Sequence, residues 1–186
     1  MIKKSDLKVV SSDCVLLNRR PADFIFDGKE DATMVANILF GRMQELGGVG
    51  LSANQVGLNI RMFVMGTEEV RMNVFNPEII EFSLEEEHMN EGCLSYPGLT
   101  LGVKRPSNIK VKFQNDKGEW CELQLGGITA RIFQHEYDHM EGKSFLDHVS
   151  PMKLEYYKKK LKNKKQKLVK KYSQKVLRNI ANDLDK

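Results

Sequence analysis

The sequence has few of the features that mark secreted and membrane proteins. Its 186 residues include only three cysteines, Cys14, Cys93 and Cys121, and one tryptophan. No apolar run approaches the roughly 20 residues needed to cross a bilayer. The cysteines are odd in number and far apart, which argues against a disulfide framework. The first residues, MIKKSDLKVVSSDC, lack the apolar segment of a secretory signal. These absences predict a cytoplasmic protein that does not act at membranes.

Acidic residues are scarce at the C-terminal end. Residues 153–186 contain 13 Lys and Arg but only 3 Asp and Glu, whereas residues 1–152 contain 16 and 22. The net charge of +4 therefore combines an acidic body with a basic tail. Apolar residues recur through this tail at helical spacing, which predicts a long amphipathic helix over 152–185. Its charge indicates either a polyanionic partner or simply a solvated helix face.

Apolar periodicity predicts a mixed fold. Residues 81–90 are either a charged connection or an exposed strand. The first half of the chain contains a predicted helix over 31–46 and strands over 59–66 and 72–80, the second of them interrupted by Pro77. The second half contains a hairpin of IKVKFQ and CELQL, a helix over 128–142 and the C-terminal helix. This order favours an α+β protein with antiparallel β-sheets around the helix over 128–142, followed by a long C-terminal helix.

The helix over 128–142 contains the stretch QHEYDH. His135 and His139 are four residues apart, so a helix places both on one face, where they can bind one metal ion. Glu136 lies beside the first histidine and can act as a general base on a water molecule. The alternative is an exposed helix with two solvated histidines. Ile128 and Ile132 share the histidine face, which favours histidines that point toward the core.

A third ligand has candidates on both sides of this helix. Downstream, Glu141, His148 and Glu155 do not match a spacing known from zinc peptidases. Upstream, Cys93 lies in NEGCLSYPG, a stretch rich in turn-forming residues. A thiolate on such a loop would complete a Cys/His/His set, although a buried, inert cysteine is the common alternative.

The glycine-rich stretch GGVGLSANQVG, residues 47–57, is the third unusual segment. It lacks the glycine and lysine pattern of phosphate-binding loops, so a nucleotide site is disfavoured. Two interpretations remain open. Val49 and Gly50 can let a substrate backbone approach closely, with Gln55 as an amide donor, or the glycines only connect a helix to a strand.

Taken together, GVGLSANQ (48–55), EGCLS (91–95) and QHEYDH (134–139) resemble the motifs of the peptide deformylase family. The resemblance covers roughly residues 10–150. Ser52 is one departure, because the family usually has alanine at this position. The resemblance implies a catalytic metallohydrolase domain over 1–150 and a basic amphipathic helix over 151–186.

The resemblance also implies a mechanism. Cys93, His135 and His139 would hold Fe²⁺, for which Zn²⁺, Ni²⁺ or Co²⁺ can substitute. A metal-bound hydroxide would attack the formyl carbon of an N-formylmethionyl peptide and release formate, with Glu136 as general base and acid. Gln55 and the backbone N–H of Leu94 would stabilise the oxyanion.

The implied substrate is the formyl-methionine end of nascent polypeptides. It would bind as an added strand along Val49, Gly50 and Gly92, with Ile132 contributing to an apolar methionine pocket. The basic tail would contact the ribosome, and no specific DNA partner is expected. Two other interpretations compete with this one: an HExxH endopeptidase, and a nucleic-acid or ribosome-binding module with a structural metal site.

Several residues near the motifs have less specific expectations. Glu91 and Arg105 form an ion pair or are separately solvated, and Asp138 either supports the site or is a surface carboxylate. The remaining expectations are exposed histidines at His88 and His148 and core positions at Trp120 and Cys121.

Overall fold

The computed structural model describes residues 7–160, 162, 163, 166 and 167. Contacts divide the chain into two compact units, Met1–His148 and Val149–Lys186. The elements of the first unit run in the order α1 (Ala32–Glu45), β1 (Gly50–Ser52), β2 (Met62–Gly66), β3 (Arg71–Phe82), β4 (Glu86–Gly92), β5 (Thr100–Pro106), β6 (Asn108–Gln114), β7 (Trp120–Gly126) and α2 (Gly127–Met140).

The strands form two antiparallel sheets. Five strands pair in the order β1-β2-β3-β6-β7, so β1 and β7 are the outer strands of this sheet. The other two, β4 and β5, pair over their full length as a separate ribbon. The predicted α+β class with antiparallel sheets is confirmed.

Strand β2 separates two hydrophobic clusters because successive side chains of a strand point to opposite faces. Met62 and Val64 pack in the cluster that contains the apolar residues of α1. Phe63 and Met65 pack in the cluster that contains Phe133 and its neighbours on α2. The helix with the QHEYDH motif therefore packs on the opposite face of the sheet from α1.

The strands differ from expectation at two places and agree with it at a third. Pro77 does not end its strand, because β3 continues to Phe82 through a register shift between Phe75 and Glu78. A bulge of this kind tolerates a residue without an N–H. Strand β5 was not predicted, since its glycine and proline obscure the alternation. Residues 81–90 include most of β4, which is largely exposed. This agrees with the expectation of an exposed strand.

Trp120, predicted to lie in the core, is instead 54% exposed. It lies on the outer strand β7, and the Lys112 ammonium group is 4.9 Å from the centre of its ring. Cys121, the next residue, is partly buried against the cluster that contains Phe133. The prediction was thus wrong for Trp120, because this residue shares the exposed face of β7 with Glu122 and Gln124.

In the unit Val149–Lys186, residues 151–160 are helical, as are 162, 163, 166 and 167. The rest of the helix predicted over 152–185 lies outside the described residues. Within the described part of the chain, no helix combines the length and the apolar character needed to cross a membrane.

Candidate metal centre

Helix α2 and the end of β4 bring the three predicted ligands together. His135 and His139 are buried on α2, and Cys93 directly follows the last residue of β4. One ligand atom from each residue lies within 4.8 Å of the other two. The Cys93 Sγ atom is 3.4 Å from His139 Nε2. A group this compact has the dimensions of a single metal site.

The chemistry of this group fits a divalent metal ion. A thiolate and two imidazoles are accepted by several first-row transition metals. Two of the three downstream candidates have other partners: Glu141 binds Arg61, and His148 lies 2.8 Å from Asp138. The third, Glu155, belongs to the second unit and is not in the ligand group. The ligand set therefore combines the helix with the upstream loop.

Glu91 orients the first histidine. Its Oε2 atom lies 2.9 Å from His135 Nδ1, which leaves the Nε2 atom of that ring available to a metal. Arg105 donates two hydrogen bonds to the Glu91 carboxylate, at 2.7 and 3.0 Å, and Arg131 donates a third at 3.0 Å. The Glu91–Arg105 ion pair is thus confirmed and is buried. The contribution of Arg131 was not predicted.

Asp138 and His148 extend this network. Asp138 Oδ2 lies 2.8 Å from Arg105 Nη1 and 2.8 Å from His148 Nε2. Asp138 is buried and supports the arginine that holds Glu91. His148 is exposed, as expected, but it is not isolated, because its Nε2 atom lies within hydrogen-bonding distance of Asp138. His88 is exposed on β4, as expected.

The ionisation of the metal-free site follows from burial and from these contacts. Burial lowers the pKa of His135, but hydrogen bonds with Cys93 and Glu91 outweigh burial and raise this pKa to about 10. Burial lowers the pKa of His139 to about 3. Burial also opposes ionisation of Glu91, yet hydrogen bonds from His135 and Arg105 hold its pKa well below the usual range. The pKa values of the two histidines are therefore shifted in opposite directions by their surroundings.

The carboxyl group of Glu136 is buried beside the two histidines. Burial raises its pKa to about 7, so this group can both accept and return a proton near neutral pH. Gly50 packs directly against it. A Cβ atom at position 50 would lie within 2.9 Å of Glu136 Cγ and would collide with the carboxyl oxygen. Glycine at this position therefore leaves room for the carboxyl group.

Gln55 lies in a short 3-10 helix, Ala53–Val56, with its amide held at both ends. The Oε1 atom accepts hydrogen bonds from the N–H of Ser52 at 3.0 Å and from its hydroxyl at 2.9 Å. The Nε2 atom donates to Cys93 Sγ at 3.2 Å and to Ser95 Oγ at 3.3 Å. The amide NH₂ group consequently faces the metal ligands.

A cavity of about 460 Å³ opens onto these residues. Its lining includes all four residues predicted to bind substrate: Val49, Gly50, Gly92 and Ile132. Gln55, Cys93, Leu94, His135 and Glu136 also line it. Ile128 lines the same cavity and is 63% exposed, so this residue faces the cavity rather than the core.

Comparison with known proteins decides the family. The sequence model for polypeptide deformylase matches residues 7–155. The chain belongs to the peptide deformylase family. Members of this family are metal-dependent hydrolases that remove the formyl group from nascent chains. The peptide deformylase of Thermotoga maritima is 41% identical over 152 residues, which cover 82% of this chain and 92% of that protein.

Solved structures of peptide deformylases share the fold. The crystal structure of the Thermotoga maritima peptide deformylase aligns with a TM-score of 0.73 and 37% identity, covering 78% of this chain and 98% of that one. A class I type b peptide deformylase from Acinetobacter baumannii, crystallised with Met-Ala-Ser bound, aligns with a TM-score of 0.73 and 31% identity. It covers 77% of this chain and 98% of its own. The chain is therefore a hydrolase of this family with a Cys/His/His metal-binding group.

Proposed function

We propose that the cavity beside Cys93, His135 and His139 is the site at which this deformylase hydrolyses N-formylmethionyl peptides. The observation that supports this most strongly is that a buried carboxyl group, an oriented amide and two members of the three-residue metal-ligand group line one cavity. None of the three sequence motifs alone would supply all of these groups.

We propose Fe²⁺ as the physiological metal, with Zn²⁺, Ni²⁺ or Co²⁺ as substitutes. Cys93, His135 and His139 would hold it. A divalent cation in this position supplies a Lewis acid that polarises the formyl carbonyl and makes a water molecule more acidic.

In this proposal Glu136 transfers the proton. It accepts a proton from the attacking water and returns it to the amine that leaves when the C–N bond of the formamide breaks. The products are formate and a peptide with a free N-terminus. Because its pKa of about 7 lies near the working pH, the group can serve as base and then as acid.

Gln55 and Leu94 would stabilise the oxyanion. The Gln55 NH₂ group donates to Cys93 Sγ, and the N–H of Leu94 belongs to the next residue of the same loop; all three residues line the cavity. Donors that are already oriented cost no reorganisation when negative charge develops on the formyl oxygen. Removal of one such donor typically lowers the rate by about 10²–10³-fold.

The peptide would bind beside β1. Since β1 is an outer strand of the five-stranded sheet, an extended peptide can pair with it along Val49 and Gly50, with Gly92 on the opposite side. Ile132 would contact the methionine side chain from α2. The bound Met-Ala-Ser of the Acinetobacter baumannii protein is consistent with a short peptide in a site of this family.

The basic C-terminal segment would associate with the ribosome. Tyr156, Lys159, Lys160, Asn163 and Lys167 lie along one face of the helical segment. A row of lysines beside an exposed tyrosine suits ribosomal RNA, which attracts cations and stacks on aromatic rings.

We also place the protein in the cytoplasm, since Cys14, Cys93 and Cys121 are all free thiols.

Formate release from a formyl-methionyl tripeptide tests the proposed site. The protein is purified without oxygen, and its metal content is measured beside activity. We expect rapid, chelator-sensitive release with about one metal ion per chain, and loss of metal and activity in Cys93→Ser. A fully active Cys93→Ser variant would instead favour an HExxH endopeptidase-like site. Metal-loaded protein without any formate release would favour a binding module with a structural metal.

A further inference from the structure

We infer that Ser52 is a positioning residue that fixes the orientation of the Gln55 amide, so that its NH₂ group faces the reacting carbonyl. This inference rests on the oxyanion role proposed for Gln55. Ser52 is the last residue of β1 and directly precedes the short 3-10 helix that contains Gln55.

The geometry supports this role. The Ser52 hydroxyl donates to Gln55 Oε1 at 2.9 Å, and its backbone N–H donates to the same oxygen at 3.0 Å. Both residues are buried, with 0% and 2% of their surface exposed. No other side chain donates to this oxygen among the hydrogen bonds of the described residues. Since a carbonyl oxygen has two lone pairs, these two donors satisfy it fully.

Orientation matters because the two ends of an amide have opposite polarity. In the observed orientation Gln55 Nε2 donates to Cys93 Sγ and Ser95 Oγ. A rotated amide would direct its oxygen at the sulfur of Cys93 and at the developing oxyanion, and both contacts would be repulsive. It would also place the NH₂ group against the backbone N–H of Ser52, a second donor. The hydroxyl adds a further donor at the oxygen end and so favours the productive orientation.

Ser52 acts at a distance from the substrate. It does not line the cavity, whereas Gln55 does. Removal of its hydroxyl should consequently leave peptide binding unchanged. The hydroxyl also hydrogen-bonds the Glu136 carboxyl, so the part of its effect that acts through Gln55 is the part that disappears when Gln55 is replaced. A single neutral hydrogen bond of this kind corresponds to roughly a three- to tenfold change in rate.

The test is a double-mutant cycle between Ser52→Ala and Gln55→Ala, assayed by formate release from the same tripeptide with metal content matched. We expect Ser52→Ala to lower kcat about three- to tenfold with little change in KM. In the Gln55→Ala background, the same serine change should have no further effect on kcat. Ser52→Thr should retain more activity than Ser52→Ala, because it keeps the hydroxyl.

Several results would overturn the inference. A Ser52→Ala variant with unchanged kcat would do so, as would a serine effect that persists without the Gln55 amide. In the second case the hydroxyl would act through the nearby Glu136, and the pH profile of kcat/KM would shift as well. Ser107→Ala, which removes a hydrogen-bonded hydroxyl that does not line the cavity, is the matched control for folding and metal content.

The same cycle separates this inference from the proposed function. If Gln55→Ala itself leaves kcat unchanged, the oxyanion role of Gln55 fails and the proposed mechanism must change. If Gln55→Ala lowers kcat but Ser52→Ala does not, only the positioning role fails. Thermal unfolding of each metal-loaded variant identifies any that lose activity by unfolding.

Discussion

Gly50 illustrates how one residue without a side chain can serve a catalytic group. Its Cα lies so close to Glu136 that any Cβ atom would overlap the carboxyl group. The φ angle of Gly50 is not among the positive values of the chain, so glycine is not needed here for backbone strain. Space for the general base is the physical reason for glycine at this position.

We therefore predict that Gly50→Ala lowers kcat/KM about 100-fold, because a displacement of about 1 Å at a reacting group can cost that much. The three heavy atoms nearest to this Cβ all belong to Glu136, so the metal content should stay at the wild-type value. Formate release and metal analysis of the same preparation provide the measurement. A fully active Gly50→Ala variant would show that Glu136 has room to move and that the contact is unimportant.

His135 gives a prediction for metal loading. Its pKa of about 10 in the metal-free protein means that the ring is protonated at pH 7, whereas a metal ligand must be neutral. Binding of one metal ion at pH 7 should therefore release at least one proton. The apparent affinity should increase about tenfold per pH unit between pH 6.5 and 8. Calorimetry in buffers of different ionisation enthalpy measures the protons released.

Two variants sharpen this measurement. Glu91→Gln removes the carboxylate that stabilises the imidazolium, so proton release should fall and metal affinity should decrease about 10–100-fold. His88→Gln removes an exposed histidine of β4 and should leave both quantities unchanged. Equal proton release by the Glu91 variant and the wild type would contradict the account of the His135 pKa.

At the scale of elements, helix α2 has two working faces. One face presents His135, Glu136 and His139 toward the cavity and the Cys93 loop. The other packs Phe133 against Phe63, with ring centroids 5.0 Å apart, and against Phe113 at 6.4 Å. The position of the metal ligands thus depends on aromatic packing at the other face of the helix.

Phe133→Ala should accordingly reduce the free energy of unfolding by about 3–5 kcal/mol, since Phe133 is fully buried in this cluster. Trp120→Ala removes an even larger ring, but from an exposed position on β7, and should cost less than about 1 kcal/mol. Urea unfolding of the two metal-free variants provides the comparison. Similar losses in both variants would mean that the Trp120 ring packs against another surface and is not exposed.

At the scale of the whole molecule, charge separates the two parts of the chain. The body is acidic and the C-terminal segment is strongly basic. The cavity with its metal ligands lies entirely within Met1–His148, and the lysine row lies entirely within Val149–Lys186. Hydrolysis of short peptides and association with the ribosome should therefore be separable by mutation.

We predict that Lys159→Glu combined with Lys160→Glu weakens ribosome binding but leaves formate release from a tripeptide unchanged. Binding should also become less sensitive to salt, with the slope of log affinity against log salt smaller by about 2. Cosedimentation at several salt concentrations measures both effects. Lys117→Glu with Lys143→Glu makes the same charge change at exposed lysines of the body and serves as the control. Equal loss in both variants would leave only a general charge effect.

The sequence alone determined the features that depend on local spacing and residue type. Helical periodicity with histidines four residues apart predicted α2, its buried ligands and Glu136. The glycines and turn formers around Val49 and Cys93 marked the segments that line the cavity. These features were accessible because a helix converts spacing along the chain directly into proximity.

Only the tertiary structure decided what depends on contacts between distant segments. Glu91 and His135 are 44 residues apart, and they meet because the β4–β5 ribbon lies beside α2. The contact of His148 with Asp138, the exposure of Trp120 and the bond between Ser52 and Gln55 likewise depend on which surfaces the fold brings together or covers. Local periodicity contains no information about such coverage, since the same side chain is buried or exposed according to its neighbours in space.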